Sequence, residues 1–252
     1  MKNFNKLSLA GGVAMAFAFI SPSTQADTLI GFNFENFSVG QISGSASFAA
    51  DGLSATHNMA NNGVENFGPP NNKLSMTRFA GSLNYPQLTF STLIPIKLNT
   101  VEFLHISNHN PGLPTYPTYN VDLEIDTGSG FDVLSTFVAQ NGGYFSESVP
   151  TIPDVIMPGT YKLRWIPQVS PNTSTEFFGL DNIQLVGVKL GCNPCATWKN
   201  HGAYVSCVSH AINAAVANGD VTQDQVIGLV ASAAQSSIGK TGFVPEQCPT
   251  QP

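Results

Sequence analysis

The stretch Tyr119–Val138, YNVDLEIDTGSGFDVLSTFV, decides the fold class. Apolar and polar residues alternate without a break over its first eight positions, which predicts a strand with one buried and one wet face. TGSG then supplies turn residues, and FDVLSTFV resumes a strand pattern. The stretch therefore predicts two strands joined by a hairpin turn.

Similar short runs fill the chain from Thr28 to about Val188. The other runs interpreted as strands are TLIGFNFE, GSASFAA, KLSMTRF, PQLTFST, LNTVEFLHI, TYKLRWI and FGLDNIQLVGV. Gly, Pro, Asn and Ser separate them, and no segment with helical periodicity interrupts them. This pattern predicts a mainly β domain, a jelly-roll β-sandwich, over residues 27–189.

The pattern changes after Gly191. From Ala203 onward, apolar residues recur at steps of three and four, and Gly219 can end the helix that they predict. A second helix is expected from Thr222, with Gln225 completing a capping box, to Gly239. Residues 190–252 are thus predicted to form a Cys-containing helical hairpin, which is too small to be stable without crosslinks or docking.

The N-terminus has the pattern of a secretory signal peptide over residues 1–26. Lys2 and Lys6 precede an apolar run from Leu7 to Ile20, and small residues lead to a predicted cleavage site after Ala26. The run is too short for a membrane span. We therefore expect export to the periplasm or the extracellular space, where disulfides form.

The chain has four cysteines, all near the C-terminus: Cys192, Cys195, Cys207 and Cys248. With His210 in WKNHGAYVSCVSHA, the first three match the C-x2-C…C-x2-H spacing of a zinc ribbon. An even number of cysteines in an exported protein instead favours two disulfides. A c-type haem would need a histidine where Ala196 stands, so this cofactor is excluded. Three disulfide pairings remain open.

The charge balance excludes some classes of partner. The chain has ten Lys and Arg residues against 16 Asp and Glu residues. Without Lys2 and Lys6, which belong to the predicted signal peptide, the net charge is about −8. Nucleic acid and anionic membranes are therefore not expected as partners.

The β region resembles the lectin-like jelly-roll domains of secreted bacterial proteins, including those with PEP-CTERM sorting tails. The matching pieces are YPQLTFSTLIPIKLNTVEFLHIS, YNVDLEIDTGSGFDVL, PGTYKLRW and the closing FGLDNIQLVGV, within residues 28–188. The WKNHG segment is similar to a small unit of unknown function at the C-termini of exported bacterial proteins. The resemblance implies a binding protein for a glycan or a matrix polysaccharide.

The same resemblance implies a structural calcium ion. In jelly-roll carbohydrate-binding modules such an ion lies between an acidic residue after the first strand and an Asp in the last strand. The matching residues are Glu35 in NFENF and Asp181 in GLDNI. Two carboxylates fill only part of the six to eight oxygen ligands that Ca²⁺ takes. A solvated Glu35 and a turn-capping Asp181 are the alternative.

A long loop rich in Pro and Tyr, NHNPGLPTYPTYN over residues 108–120, is the predicted ligand site. Tyr116 and Tyr119 would stack on sugar rings, and His109 and Asn110 would supply hydrogen bonds. Prolines would lower the cost of ordering this loop on binding. The alternative is a stiff surface connection.

Three carboxylates, Asp122, Glu124 and Asp126, project from one face of a predicted strand. They are similar to the E-x-D-x-E strand of laminarinase-type glycosidases, but the order differs and no second Glu follows. A wet strand face is the favoured interpretation. The sequence therefore predicts a secreted, non-enzymatic glycan-binding protein. The alternatives are an adhesive or structural protein that self-associates or binds other proteins, and a polysaccharide-cleaving enzyme.

Overall fold

The computed structural model describes residues 26–58, 64–66, 73–78, 85–107, 118–139, 145–150, 155–168 and 177–242. The strands in these ranges are β1 (Asp27–Phe32), β2 (Ser43–Ser45), β3 (Phe48–Ala49), β4 (Leu53–Asn58), β5 (Val64–Asn66), β6 (Lys73–Arg78), β7 (Gln87–Thr92), β8 (Ile96–Ser107), β9 (Tyr119–Asp126), β10 (Phe131–Ala139), β11 (Phe145–Pro150), β12 (Gly159–Pro167) and β13 (Phe177–Lys189). They are followed by helices α1 (His201–Ala217) and α2 (Gln223–Gln235).

The strands form two antiparallel sheets that enclose one core, so the predicted jelly-roll β-sandwich is confirmed. The first sheet has the order β11-β8-β13-β1-β3, with β6 beside β13 and β5 beside β6. The second sheet has the order β10-β9-β12-β7-β4-β2. The chain passes repeatedly from one sheet to the other, which brings β1 and β13, the first and last strands, side by side.

Alternation along each strand decides which side chains enter the core. In β9, Val121, Leu123 and Ile125 are buried and their polar neighbours lie on the outer face. In β12, Trp165 is fully buried, whereas Arg164 lies on the outer face. Several of the largest fully buried side chains of this core are aromatic, and aromatic side chains bury large apolar areas.

Three strands of the structure, β4, β5 and β11, were not expected from the sequence. Their sequences, LSATHN, VEN and FSESVP, are rich in polar residues and give little hydrophobic signal. The run GSASFAA forms the two short strands β2 and β3 instead of one.

The helical hairpin is confirmed, with different boundaries. Helix α1 begins at His201, two residues earlier than expected, because the side chain of Asn200 accepts a hydrogen bond from the Ala203 N–H at 2.8 Å. Helix α2 ends at Gln235 and not at Gly239. The Thr222 N–H donates to Gln225 Oε1 at 2.9 Å, as the capping box requires.

The hairpin has a small core of its own that includes the end of the sandwich. Val188 and Leu190, at and after the end of β13, are buried together with apolar side chains of both helices. His201 joins the two helices, because its Nδ1 lies 2.7 Å from the Ile238 carbonyl oxygen and its Nε2 lies 3.1 Å from that of Ala234. The hairpin is therefore docked on the sandwich through the end of β13.

Candidate functional site

A cleft on the outside of the first sheet has the features of a ligand site. We call it the β1–β13 cleft. It has a volume of about 720 Å³ and is lined by residues of β1, β3, β13 and adjoining turns. The paired strands β1 and β13 form its floor, where Gly31 lies opposite Gln184. A floor made of central, hydrogen-bonded strands is fixed before any ligand arrives, which lowers the cost of binding.

An aromatic ring stands at the side of this cleft. Phe48 of β3 lines the cleft and is 51% exposed. Gly31 pairs with Phe48 across the two strands and also lines the cleft. A half-exposed ring in a concave site can contact the apolar face of a ligand.

The polar groups of the cleft are mostly uncharged. The Thr28 hydroxyl donates to Gln184 Oε1 at 2.8 Å, which orients the Gln184 amide. Asn33 and Asn182 also line the cleft, and the Asn33 N–H is held by Ser47 Oγ at 3.0 Å. Amides and hydroxyls both donate and accept hydrogen bonds, which suits a ligand that carries many hydroxyl groups.

The two residues matched to a calcium site are near enough for Glu35 to act electrostatically on Asp181, and Asp181 directly precedes Asn182, which lines the β1–β13 cleft. Asp181 is 8% exposed, and its Oδ1 accepts a hydrogen bond from the Asn182 N–H at 2.7 Å. Burial raises the pKa of Asp181, and the nearby Glu35 carboxylate adds to this effect. Asn182 has a φ of 47°, where the strand bulges. Within the described ranges, no group of three or more His, Cys, Asp or Glu residues is placed to hold a metal ion.

Only one of the four residues predicted for the loop site, Tyr119, lies within the described residues. His109, Asn110 and Tyr116 lie outside the described residues. Tyr119 is the first residue of β9, is 7% exposed and belongs to the sandwich core, so the prediction that it stacks on sugar does not fit the structure. The alternation of β9 already places Tyr119 on the same face as Val121, and this signal identifies it as a core residue.

The three carboxylates of β9 share the outer face of the second sheet, as predicted, and all of them have partners. Glu124 Oε2 accepts hydrogen bonds from Arg164 at 2.6 Å. Asp122 accepts hydrogen bonds from the side chains of Thr136 and Gln168. Asp126 accepts from the N–H groups of Gly128 and Gly130 in the following turn. These carboxylates fix the sheet and its hairpin turn.

The three described cysteines of the C-terminal region are all disulfide-bonded. Cys192 and Cys207 are bonded to each other, and Cys195 is also disulfide-bonded. Cys248 lies outside the described residues. Since the sulfurs of Cys192 and Cys207 are joined, they are not zinc ligands, and the disulfide interpretation of this motif is confirmed.

Two buried histidines were not singled out from the sequence. His57 packs against the rings of Phe32, Phe34 and Phe37, and burial lowers its pKa to about 3. His105 lies 3.3 Å from Glu147; burial lowers its pKa, although the Glu147 carboxylate opposes that shift. Both lie at inward positions of their strands, which is the only sequence signal for them.

No helix within the described ranges is long and apolar enough to cross a membrane.

Comparisons with known proteins give similarity at the level of overall shape. No protein-family model matches the sequence, and a search of curated protein sequences returns no match.

Among solved structures, the CBM22-1 xylan-binding domain of Paenibacillus barcinonensis Xyn10C is 8% identical, with a TM-score of 0.36, over 64% of this chain and 94% of that domain. The K3 cleaved adhesin domain of Lys-gingipain from Porphyromonas gingivalis W83 is 12% identical, with a TM-score of 0.38, over 64% of this chain and 98% of that domain. The family 29 module CBM29-2, in its Y46A form, is 8% identical, with a TM-score of 0.35, over 64% of this chain and 93% of that module. Similarity at this level carries neither ligand nor activity from those proteins to this chain. The PEP-CTERM association and the relationship of the WKNHG segment stay predictions.

Proposed function

We propose that this protein is an exported, non-enzymatic glycan-binding protein and that the β1–β13 cleft is its binding site. The observation that carries the proposal is the half-exposed ring of Phe48 beside the amides and hydroxyls of a concave, strand-built cleft. A sugar ring has the matching chemistry, with an apolar face for the aromatic ring and hydroxyls at its edge. The loop of residues 108–120 stays a separate prediction, and of its predicted residues only the buried Tyr119 is described.

The charge of the cleft favours a neutral glycan. Among the described residues that line it, Asp27 and Lys189 are the only charged ones and have opposite signs. A glycan rich in carboxylate or sulfate groups would find no excess of positive charge there. We therefore expect neutral polysaccharides to bind more tightly than acidic ones.

Three observations support the non-enzymatic and exported character. The carboxylates of β9, the candidates for glycosidase chemistry, are committed to Arg164, to Thr136 and Gln168, and to a turn. The disulfide between Cys192 and Cys207 is typical of exported proteins. Strand β1 begins at Asp27, directly after the predicted signal-peptide cleavage site.

A calcium ion held by Glu35 and Asp181 would stabilise the fold of the sandwich. Glu35 and Asp181 offer hard carboxylate oxygens, and the cost of keeping two nearby carboxylates charged, one of them buried, would be relieved by a divalent cation. Calcium should therefore raise the melting temperature, and Asp181→Asn should remove that effect. An equal melting temperature in calcium and in chelator would contradict the calcium site.

The test of the function is retention of the purified, oxidised protein on insoluble polysaccharides and on neutral oligosaccharide arrays. We expect binding to at least one neutral glycan, and loss of most of that binding in Phe48→Ala. Val133→Ala is the matched control, since Val133 is 56% exposed and lies on the other sheet. Absence of binding by the folded protein, or equal binding by Phe48→Ala, would contradict the proposal. Release of reducing sugar from the same polysaccharides would contradict the non-enzymatic assignment.

Self-association is the second candidate function, and one feature favours it. Val39, Ile42 and Phe48 are exposed apolar residues within ten positions of the chain. Such a group can form part of an interface between two copies. Sedimentation at micromolar concentration distinguishes the candidates: a dimer that Phe48→Ala dissociates, without glycan binding, would favour self-association.

A further inference from the structure

A second cleft lies where the sandwich meets the disulfide-bonded segment. We call it the junction cleft. It has a volume of about 730 Å³ and is lined by the β3–β4 turn, the end of β7, the start of β12 and the loop that contains Asn193 and Cys195. Part of its wall therefore comes from the C-terminal region, for which the glycan-binding proposal above gives no role. Clefts between two structural units are common ligand sites.

The sandwich side of the junction cleft carries a row of hydroxyl groups. Ser54, Ser91 and Thr160 stand opposite one another on three adjacent strands. Ser91 Oγ and Thr160 Oγ1 are 2.8 Å apart, so each orients the other. Neighbouring strands are about 4.8 Å apart, so the row offers hydroxyls across roughly 10 Å. Hydroxyls both donate and accept, which matches a ligand that carries a series of hydroxyls.

The opposite side of the junction cleft is held rigidly. Asn193 Oδ1 accepts a hydrogen bond from the Cys195 N–H at 2.8 Å. The Asn193 carbonyl oxygen accepts from the Trp198 indole N–H at 3.1 Å. The bond from Cys192 to Cys207 fixes the same loop to α1. A wall that is held by two disulfide-bonded cysteines and two hydrogen bonds is set before a ligand arrives.

The charge of the junction cleft narrows the ligand class. Asp51 is the only charged residue among the described residues that line it, and no described Lys or Arg is present. A phosphorylated or acidic ligand would be repelled, whereas a neutral polyhydroxylated ligand would not be. Gly52 and Gly159, which carry no side chain, also line this cleft.

We propose that the junction cleft is a second binding site for neutral glycan and that the disulfide-bonded segment serves to form its wall. The two clefts lie on opposite sheets and meet near Ala50, which lines both. A protein with two glycan sites can hold two chains, or two parts of one chain, with an avidity above that of either site. The proposal takes its ligand class from the glycan-binding function, but it rests on different residues.

The test is a titration of the isotope-labelled, oxidised protein, followed by amide NMR. The probes are cellohexaose, xylohexaose, mannohexaose and maltohexaose, each added separately, with oligogalacturonate as the acidic control. Gly52 and Gly159 report on the junction cleft, and Gly31 reports on the β1–β13 cleft. Gly128, in an open turn, is the reference for non-specific shifts. We expect saturable shifts at Gly52 and Gly159 with at least one neutral probe and none with oligogalacturonate.

A pair of threonine variants tests the hydroxyl row. Thr160→Val removes one hydroxyl of the row and should weaken binding at the junction cleft at least fivefold. Thr56→Val removes a hydroxyl from the same outer face, outside the junction cleft, and should change binding less than twofold. Equal dissociation constants for both variants and the unmodified protein would overturn the proposal.

The set of glycine amide signals that shift distinguishes failure of the junction site from failure of the β1–β13 cleft. Shifts confined to Gly31 would overturn the junction site and leave the β1–β13 cleft as the only binding site. Shifts confined to Gly52 and Gly159 would support the junction site and contradict the assignment of the β1–β13 cleft. No shift at any of the three glycines would overturn both.

Discussion

The sandwich and the helical hairpin are stabilised in different ways. The sandwich buries large aromatic and aliphatic side chains from two sheets in one continuous core. The hairpin buries few large side chains, takes Val188 and Leu190 from the sandwich into its core, and is tied by a disulfide at its entrance. A segment of that size falls short in apolar burial and needs a crosslink or a docking surface to make up the difference. The stability of the sandwich should therefore be most sensitive to the removal of buried side chains. The stability of the hairpin should be most sensitive to the removal of its disulfide.

The largest effect is expected from a truncation in the sandwich core. Trp165 is fully buried and packs edge-on against Phe103. Trp165→Ala should lower the free energy of unfolding by about 3 to 5 kcal/mol, from lost burial and the cavity left behind. Denaturant titration measures this loss. Ile227→Ala in the hairpin is the control, since Ile227 is 71% exposed, and a similar loss there would contradict the comparison.

Removal of the disulfide should act on the hairpin alone. Cys192 and Cys207 are 15 positions apart, and a closed loop of that size stabilises by about 3 kcal/mol in the chain-entropy model. The double variant Cys192→Ser, Cys207→Ser should lose helical circular dichroism at a lower temperature than the sandwich unfolds. Simultaneous loss of helix and of the aromatic near-ultraviolet signal would show that the two regions unfold as one.

Acid should destabilise the sandwich through His57. Burial holds the folded pKa of His57 at about 3, below its ordinary value of 6.5. Between these values the unfolded chain binds a proton that the folded chain does not, so stability falls as the pH falls through this window. From pH 7 to pH 5, the loss from His57 should be about 2 kcal/mol. His57→Phe should show a shallower pH dependence in denaturant titrations, and an unchanged slope would contradict this source of acid sensitivity.

A pair of glycine substitutions should have effects no larger than that of His57. Gly128 in the sandwich and Gly239 after the hairpin both have positive φ, of 107° and 76°. Gly128→Ala should cost about 1 kcal/mol, because alanine is strained in this conformation. Gly239→Ala should cost roughly 1 kcal/mol more, because its Cβ would lie 2.8 Å from the Asn200 carbonyl oxygen at the start of α1. Equal melting temperatures of the two variants would show that this close approach does not matter.

The sequence was sufficient for the fold class and insufficient for the site. Alternation in β9 and the helical spacing after Gly191 depend on local periods of two and 3.6, which are visible along the chain. The β1–β13 cleft joins residues more than 150 positions apart, such as Thr28 and Gln184, which only the pairing of the first and last strands brings together. Phe48 gave no signal of its own, because its exposure depends on how the short strand β3 packs.

The measurement that tests the central claim most directly is calorimetric titration of the unmodified protein, Phe48→Ala and Val133→Ala with the neutral oligosaccharide that binds best. The account predicts that Phe48→Ala raises the dissociation constant for the oligosaccharide at the β1–β13 cleft at least tenfold, or abolishes binding there. The reason is that the Phe48 ring supplies the apolar contact of that cleft. It also predicts that Val133→Ala binds as the unmodified protein does. Equal binding by all three proteins would contradict the claim that this cleft is the glycan site.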